Sequence, residues 1–178
     1  MNPIDTWVYG HWGFFLLIQS LIICLQRFRM ALADGDIAAA KTELSASTNI
    51  LLASGAAMQI AGGFPKAAYE LEVRNLMMPP NVQSQNFSGL MSEDHAYLMK
   101  LWKELKPVFN KLPPELESEH RYFVLAYQEL ATGHRAVCDK FGGGENKSLR
   151  SQYTALDELD KFRAARLKSI DPHHWLGN

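Results

Sequence analysis

A chain of 178 residues, 47% of them apolar, holds enough material for one buried core, and its charges almost cancel to a formal net of -1. The basic residues are dispersed rather than massed into a stripe, which excludes the electrostatic footprint of a nucleic-acid binder. Two cysteines, Cys24 and Cys138, build no disulfide framework, and the opening MNPIDTWVYG lacks the basic start of a signal peptide, so a cytoplasmic chain is expected.

Strand signals are missing: no hairpin dipeptide lies between alternating runs, and β-branched residues rarely cluster. The expected fold is therefore an all-α helical bundle, with residues 1–178 as a single domain. The first helix is placed from about Tyr9 to Leu32, with Gly35 taking the left-handed cap after Ala33-Asp34. Its apolar run from Phe14 to Leu25 is broken by Gln19 and Ser20 and is shorter than the ~20 residues a bilayer requires, so it reads as core and no membrane partner is expected. Asp36 then caps a second helix from Ile37 to about Ile60, closed by Gly62-Gly63, and so short a connection forces the two helices antiparallel. Phe64-Pro65 opens a shorter helix that Pro79-Pro80 stops near Met78. The polar stretch from Asn81 to Phe87 is a loop of the kind that closes over sites.

Ser88 or Ser92 caps the next helix, which runs from Ser92-Glu93 to about Leu112. Pro113-Pro114 breaks the chain, and Pro114 serves as first-turn proline of a helix reaching Phe141. Gly142-Gly143-Gly144 ends it, either as a plain cap and turn or as backbone that approaches a ligand closely. A last helix is placed from about Leu149 to Ile170, before a tail Asp171-Pro172-His173-His174-Trp175 whose paired histidines have no carboxylate or cysteine at ligand spacing for a metal site.

Chemistry concentrates on the segment from His120 to Phe141. With about 3.6 residues per turn, His120, Phe123, Tyr127, Leu130, Ala131, His134, Val137, Cys138 and Phe141 share one helix face. An apolar wall carrying imidazoles suits a heme, because a neutral imidazole can ligate iron while aromatic and aliphatic neighbours cover the macrocycle. His134 is the candidate axial ligand; the plain alternative for any such histidine is a hydrogen-bonded place in the core. Cys138 follows at i+4, with side chains roughly 5 to 6 Å apart, a spacing that permits one thioether to a heme held by His134. It is not the CxxCH attachment motif, and simple burial of Cys138 is the other reading.

Read in order, these segments resemble the tryptophan 2,3-dioxygenase superfamily of histidine-ligated heme oxygenases across nearly the whole chain. HWGFFLLIQSLIICLQRF is similar to the family's early helix, Phe14 and Gln19 matching its Phe and Gln, while the distal-pocket His falls at Ile18. Arg74 through Pro79-Pro80 to Phe87-Ser88-Gly89-Leu90-Met91-Ser92 resembles the next pattern, but the arginine that holds substrate carboxylate falls at Ala96, with His95 beside it. Thr132-Gly133-His134-Arg135-Ala136-Val137 is similar to the proximal-ligand turn, and Leu149-Arg150-Ser151 with Pro172-His173-His174-Trp175 brackets the last helix at family-like spacing. The superfamily includes bacterial aromatic-amino-acid hydroxylases of natural-product pathways, one branch with an HxxxC heme attachment, which His134-Arg-Ala-Val-Cys138 resembles.

The resemblance implies the bundle of the dioxygenase heme domain and a heme, b-type or singly linked through Cys138, with His134 on the metal. Tyr127 and Phe141 would cover it, and Lys147, Arg150 and Arg135 are candidates for its propionates. Phe14 and Ile18 would wall the open iron face, with Phe15 and Trp12 near, and His11, two turns before Ile18, would move protons. His95 completes the catalytic candidates. The expected reaction is mono- or dioxygenation of a small aromatic or indole-type substrate with O2 or H2O2, in a homo-oligomer, dimer or tetramer. In superfamily relatives a neighbour's N-terminal segment completes the site, a role that falls here to Met1 to Tyr9 with Trp7 and Tyr9. A non-catalytic heme or gas-binding protein and a heme-free helical interaction module are the alternatives.

Overall fold

The computed structural model describes residues 2–81, 92–145 and 153–173. Most of the expected loop after Pro80, the Ser88 cap, Lys147, Arg150, the expected start of the last helix and His174-Trp175 lie outside them. The described residues are helical, with no strand among them.

Helix α1, Pro3–Ala33, starts before the expected Tyr9 because Asn2 caps it, its side chain accepting from the Asp5 amide at 2.7 Å, and Pro3 occupies the first turn. It ends as the sequence indicates. Gly35 at φ 74° lets its own amide reach Leu32 O at 3.2 Å and the Asp36 amide reach Ala31 O at 2.8 Å. Asp36 caps α2, Ile37–Ala61, through the Ala39 amide at 2.9 Å, and α2 returns antiparallel along α1. The pair closes tightly at its far end, where a β-carbon on Gly10 would stand 2.5 Å from Ala61 Cβ.

The single helix expected from Phe64-Pro65 to Met78 is instead three pieces: α3, Lys66–Ala68, a π turn, Tyr69–Val73, and α4, Arg74–Leu76. The widened turn buries Val73 and presents Tyr69 to Phe141, ring centroids 4.3 Å apart. Helix α5, Glu93–Phe109, stops short of Leu112, which precedes Pro113 and is held out of helical geometry by it. A 3-10 turn, Pro114–Leu116, leads into α6, Glu117–Lys140, which Gly142 terminates at φ 85°. Helix α7, Ala155–Ile170, begins at Ala155 and does not run on unbroken from the expected Leu149, because Thr154 is extended and forms with Asp157 a reciprocal capping box not read from the sequence.

Helix α1 packs on α2 and α5, α2 on α6, and α7 on α5 and α6. Their shared core holds Leu21, Leu25 and Phe28 of α1, Leu51 of α2, Trp102 and Phe109 of α5, and Phe123 and Tyr127 of α6. His120, counted on the chemical face, belongs here: its Nε2 donates to Ile170 O at 2.7 Å and its ring stacks on Phe109 at 4.6 Å. At 31 residues and a window mean hydropathy of 1.7, α1 is long and apolar enough to cross a membrane, which the Phe14 to Leu25 run alone did not suggest. Its inner stripe is core, while Tyr9, Trp12, Leu16, Ile23 and Met30 are exposed.

Candidate functional site

A cavity of about 570 Å³ opens among α1, α2, the π turn, α5, α6 and α7, within the range of small-molecule and cofactor pockets. His11, Phe14, Ile18, His95, Tyr127, His134, Cys138 and Phe141 all line it, so every described residue nominated for catalysis or cofactor binding meets in one place. They come from α1, α5 and the α6 segment, and the packing of α1 on α2 and α5 and of α2 on α6 is what gathers them.

On α6, His134 is largely desolvated, and burial pushes its pKa down to about 4, with the charges of Arg166 and His11 acting the same way. It is therefore a neutral imidazole near neutral pH, and neither ring nitrogen has a hydrogen-bond partner among the described residues. Cys138 is half-buried one turn on, and burial, seconded by Asp139, raises its thiol pKa, so it stands there as a neutral thiol. Gly143 lies against it: a β-carbon at that position would come within 2.6 Å of Cys138 Sγ. The glycine run is thus both cap and close approach, with Gly142 and Gly143 in the cavity wall.

On α1, His11 Nδ1 donates to Trp7 O at 2.8 Å, which leaves Nε2 as its basic nitrogen, and burial lowers its pKa. Trp7, in the segment expected to complete a neighbouring subunit's site, packs within its own chain against His11 at 4.0 Å and Tyr69 at 5.7 Å between ring centroids. Phe141, expected to cover a macrocycle, stacks on Tyr69 and on Phe64, the latter at 5.3 Å, so it borders the cavity from within an aromatic cluster. Arg135, a propionate candidate, is engaged by Asp160 at 3.2 Å on the half-exposed rim. Tyr127 packs edge-on against Trp102 at 5.3 Å; burial pushes its hydroxyl pKa up while Arg166 pulls against it.

Helix α5 contributes His95, whose Nε2 accepts from Arg166 Nη2 at 2.9 Å. Burial lowers its pKa to about 4, with Arg166 and His134 adding their charge. Sequence reading missed the cationic side of this wall. Arg163 and Arg166 of α7 both line the cavity, and neither enters an ion pair among the described residues. Their i and i+3 spacing puts them on one helix face, which was the available clue. Four buried polar atoms here have no partner among the described residues: His95 Nδ1, Trp102 Nε1, Tyr127 OH and Arg163 Nε.

A family model described as SfmD 3-methyl-L-tyrosine peroxygenase matches residues 2–119, from α1 into the start of α6. A 3-methyl-L-tyrosine peroxygenase from Streptomyces lavendulae is 27% identical over 173 residues, covering 95% of this chain and 47% of that protein. The chain thus spans about half the length of that curated relative, and the segment bearing His134 and Cys138 lies inside this alignment but beyond the family-model match. No solved structure matches the chain. With two thirds of its length matched by one family model, and α1 and α5 delivering His11, Phe14, Ile18 and His95 from within that match, the chain belongs to the SfmD 3-methyl-L-tyrosine peroxygenase family.

Proposed function

We propose that this chain binds heme through His134 and oxygenates an aromatic amino acid of the tyrosine type, with peroxide as the first oxidant to test and dioxygen as the second. One observation supports this most: a neutral imidazole, unpartnered among the described residues, on the wall of a largely apolar cavity of about 570 Å³, with a thiol one turn away. The donor set fits the group, since borderline nitrogen ligands suit iron and the aromatic walls suit a flat macrocycle. The resemblance to the tryptophan 2,3-dioxygenase superfamily supports the same cofactor, and the relative's name supports the substrate class. Specialised metabolism is the setting we infer.

Heme, when bound, supplies the oxidative chemistry that amino-acid side chains lack. His134 would ligate it, and Cys138 would hold it covalently if the thioether forms. His95, the second neutral imidazole on the wall, would serve as a further nitrogen donor to the group or would carry a proton. Phe14, Phe15 and Ile18 exclude water from the reacting region, as apolar walls do. His11 holds a basic Nε2 toward proton transfer because its Nδ1 proton is fixed on Trp7 O.

The test is the absorption spectrum of the purified chain, before and after hemin, followed by product analysis with L-tyrosine and 3-methyl-L-tyrosine plus peroxide or oxygen. A Soret band lost in His134→Ala is the expected result. Acid-acetone extraction that leaves heme on the wild type and strips it from Cys138→Ala would identify the thioether. No pigment after hemin addition overturns the reading in favour of a heme-free helical module. Pigment without turnover would favour a non-catalytic heme or gas binder.

A further inference from the structure

We propose that Arg163 and Arg166 form a clamp for a carboxylate at the α7 side of the cavity, deepening the reading above by naming the ligand group this wall takes. On this wall hydrogen-bond donors outnumber acceptors among the described residues. Leaving His95 aside for the reaction centre, the unpartnered atoms Arg163 Nε, Tyr127 OH and Trp102 Nε1 are all hydrogen-bond donors on residues of one cavity. Among the described residues the Arg166 guanidinium beside them meets no carboxylate: it donates to His95 Nε2 at 2.9 Å and to Met99 Sδ at 3.1 Å and lies against the Tyr127 hydroxyl.

Two guanidiniums with no carboxylate partner among the described residues, set against apolar walls, are unfavourable by themselves, because desolvation is not offset by an opposite charge. The acids that line the same cavity do not supply it: Asp160 pairs with Arg135 at 3.2 Å, and Glu158 pairs with Lys161 at 3.4 Å. A carboxylate is acceptor-only, takes two to four donors, and meets an arginine fork with two parallel bonds. A phenol or indole nitrogen would leave most of these donors unmatched.

A free α-carboxylate of an amino acid and the propionate of a heme share this chemistry, and the experiment separates them. With the full chain, binding of L-tyrosine is compared with tyramine by calorimetry, and binding of hemin with its dimethyl ester by absorbance. The same four ligands are then tested on Arg163→Gln, Arg166→Gln and Arg166→Lys, with folding checked by circular dichroism. At least a tenfold preference for the carboxylate form is expected in one pair, reduced to near unity in the Gln variants and only partly kept in Arg166→Lys, whose ammonium lacks the fork. The tyrosine pair responding identifies an amino-acid carboxylate; the hemin pair responding identifies a propionate. Wild-type protein showing no preference in either pair overturns the clamp without any variant needing to fold, and so do folded variants that keep the wild-type preference. A chain that ignores hemin but discriminates tyrosine from tyramine keeps the clamp and sinks the heme reading. One that binds hemin and discriminates in neither pair does the reverse.

Discussion

Two histidines of α6 show how position rather than identity assigns a role. His120 and His134 were read on one chemical face, yet His120 holds Ile170 O at 2.7 Å while His134 meets no hydrogen-bond acceptor among the described residues. His120→Ala is expected to cost about 2 to 4 kcal/mol, from a lost stacked ring and an unpaired carbonyl, and to leave any heme spectrum unchanged. His134→Ala should do the opposite. Denaturation midpoints and absorption spectra of the two variants check the contrast, and a spectrum lost in both would remove it. A pH effect belongs to the same scale. His95 and His134 have folded-state pKa values of about 4, below the usual imidazole value near 6.5, so the unfolded chain binds more protons between those limits. The stability of the heme-free chain is therefore fullest above about pH 6.5 and falls as pH drops toward 4. Urea midpoints at pH 7, 6 and 5 measure it; a midpoint constant over that range would contradict the burial of these rings.

Among the elements, α1 and α7 carry the sharpest tests. Gly10 touches Ala61, whereas Gly13 has open space around its missing β-carbon. Gly10→Ala should destabilise the α1 to α2 pair by about 1 to 3 kcal/mol through overpacking, and Gly13→Ala should stabilise the protein by up to about 1 kcal/mol through helix propensity. Equal responses in chemical denaturation would mean that the close contact does not exist. Helix α7 depends on the Thr154 and Asp157 capping box, Thr154 Oγ1 accepting from the Asp157 amide at 3.1 Å. Thr154→Ala is expected to cost about 1 kcal/mol and to weaken carboxylate binding as the helix bearing Arg163 and Arg166 frays. Most of these elements were legible in advance, because caps, glycines and prolines act on the backbone within a few residues of themselves. The π turn was not, since nothing local distinguishes Tyr69–Val73 from an ordinary helix; its partner Phe141 is distant in sequence.

For the whole molecule, the consequence of the cavity is linkage. A ligand that binds only the folded chain raises its stability by RT ln(1 + [L]/Kd), so hemin at about 100 times its Kd should add about 2.7 kcal/mol. The melting temperature should rise with hemin in the wild type and not in His134→Ala. No rise in either would deny the cavity this ligand. The exposed stripe of α1, with Tyr9 and Trp12 about two-thirds exposed, is the surface on which truncation and light scattering would test the proposed homo-oligomer.

Sequence alone determined the helical class, the antiparallel first pair, the breaks at Gly35, Gly62 and Gly142, and the histidine and cysteine one turn apart. Each of these follows from periodicity or from a residue whose backbone freedom is fixed by its own chemistry. Tertiary structure decided which of those residues share a wall: it sent His120 to the core, tied Arg135 to Asp160, turned Trp7 onto its own chain and brought Arg166 from α7 to His95 on α5. Burial and charge are sums over neighbours from distant parts of the chain. A pattern of residues can nominate a chemical group, and only the packing around it sets whether that group is neutral, partnered or open to a ligand.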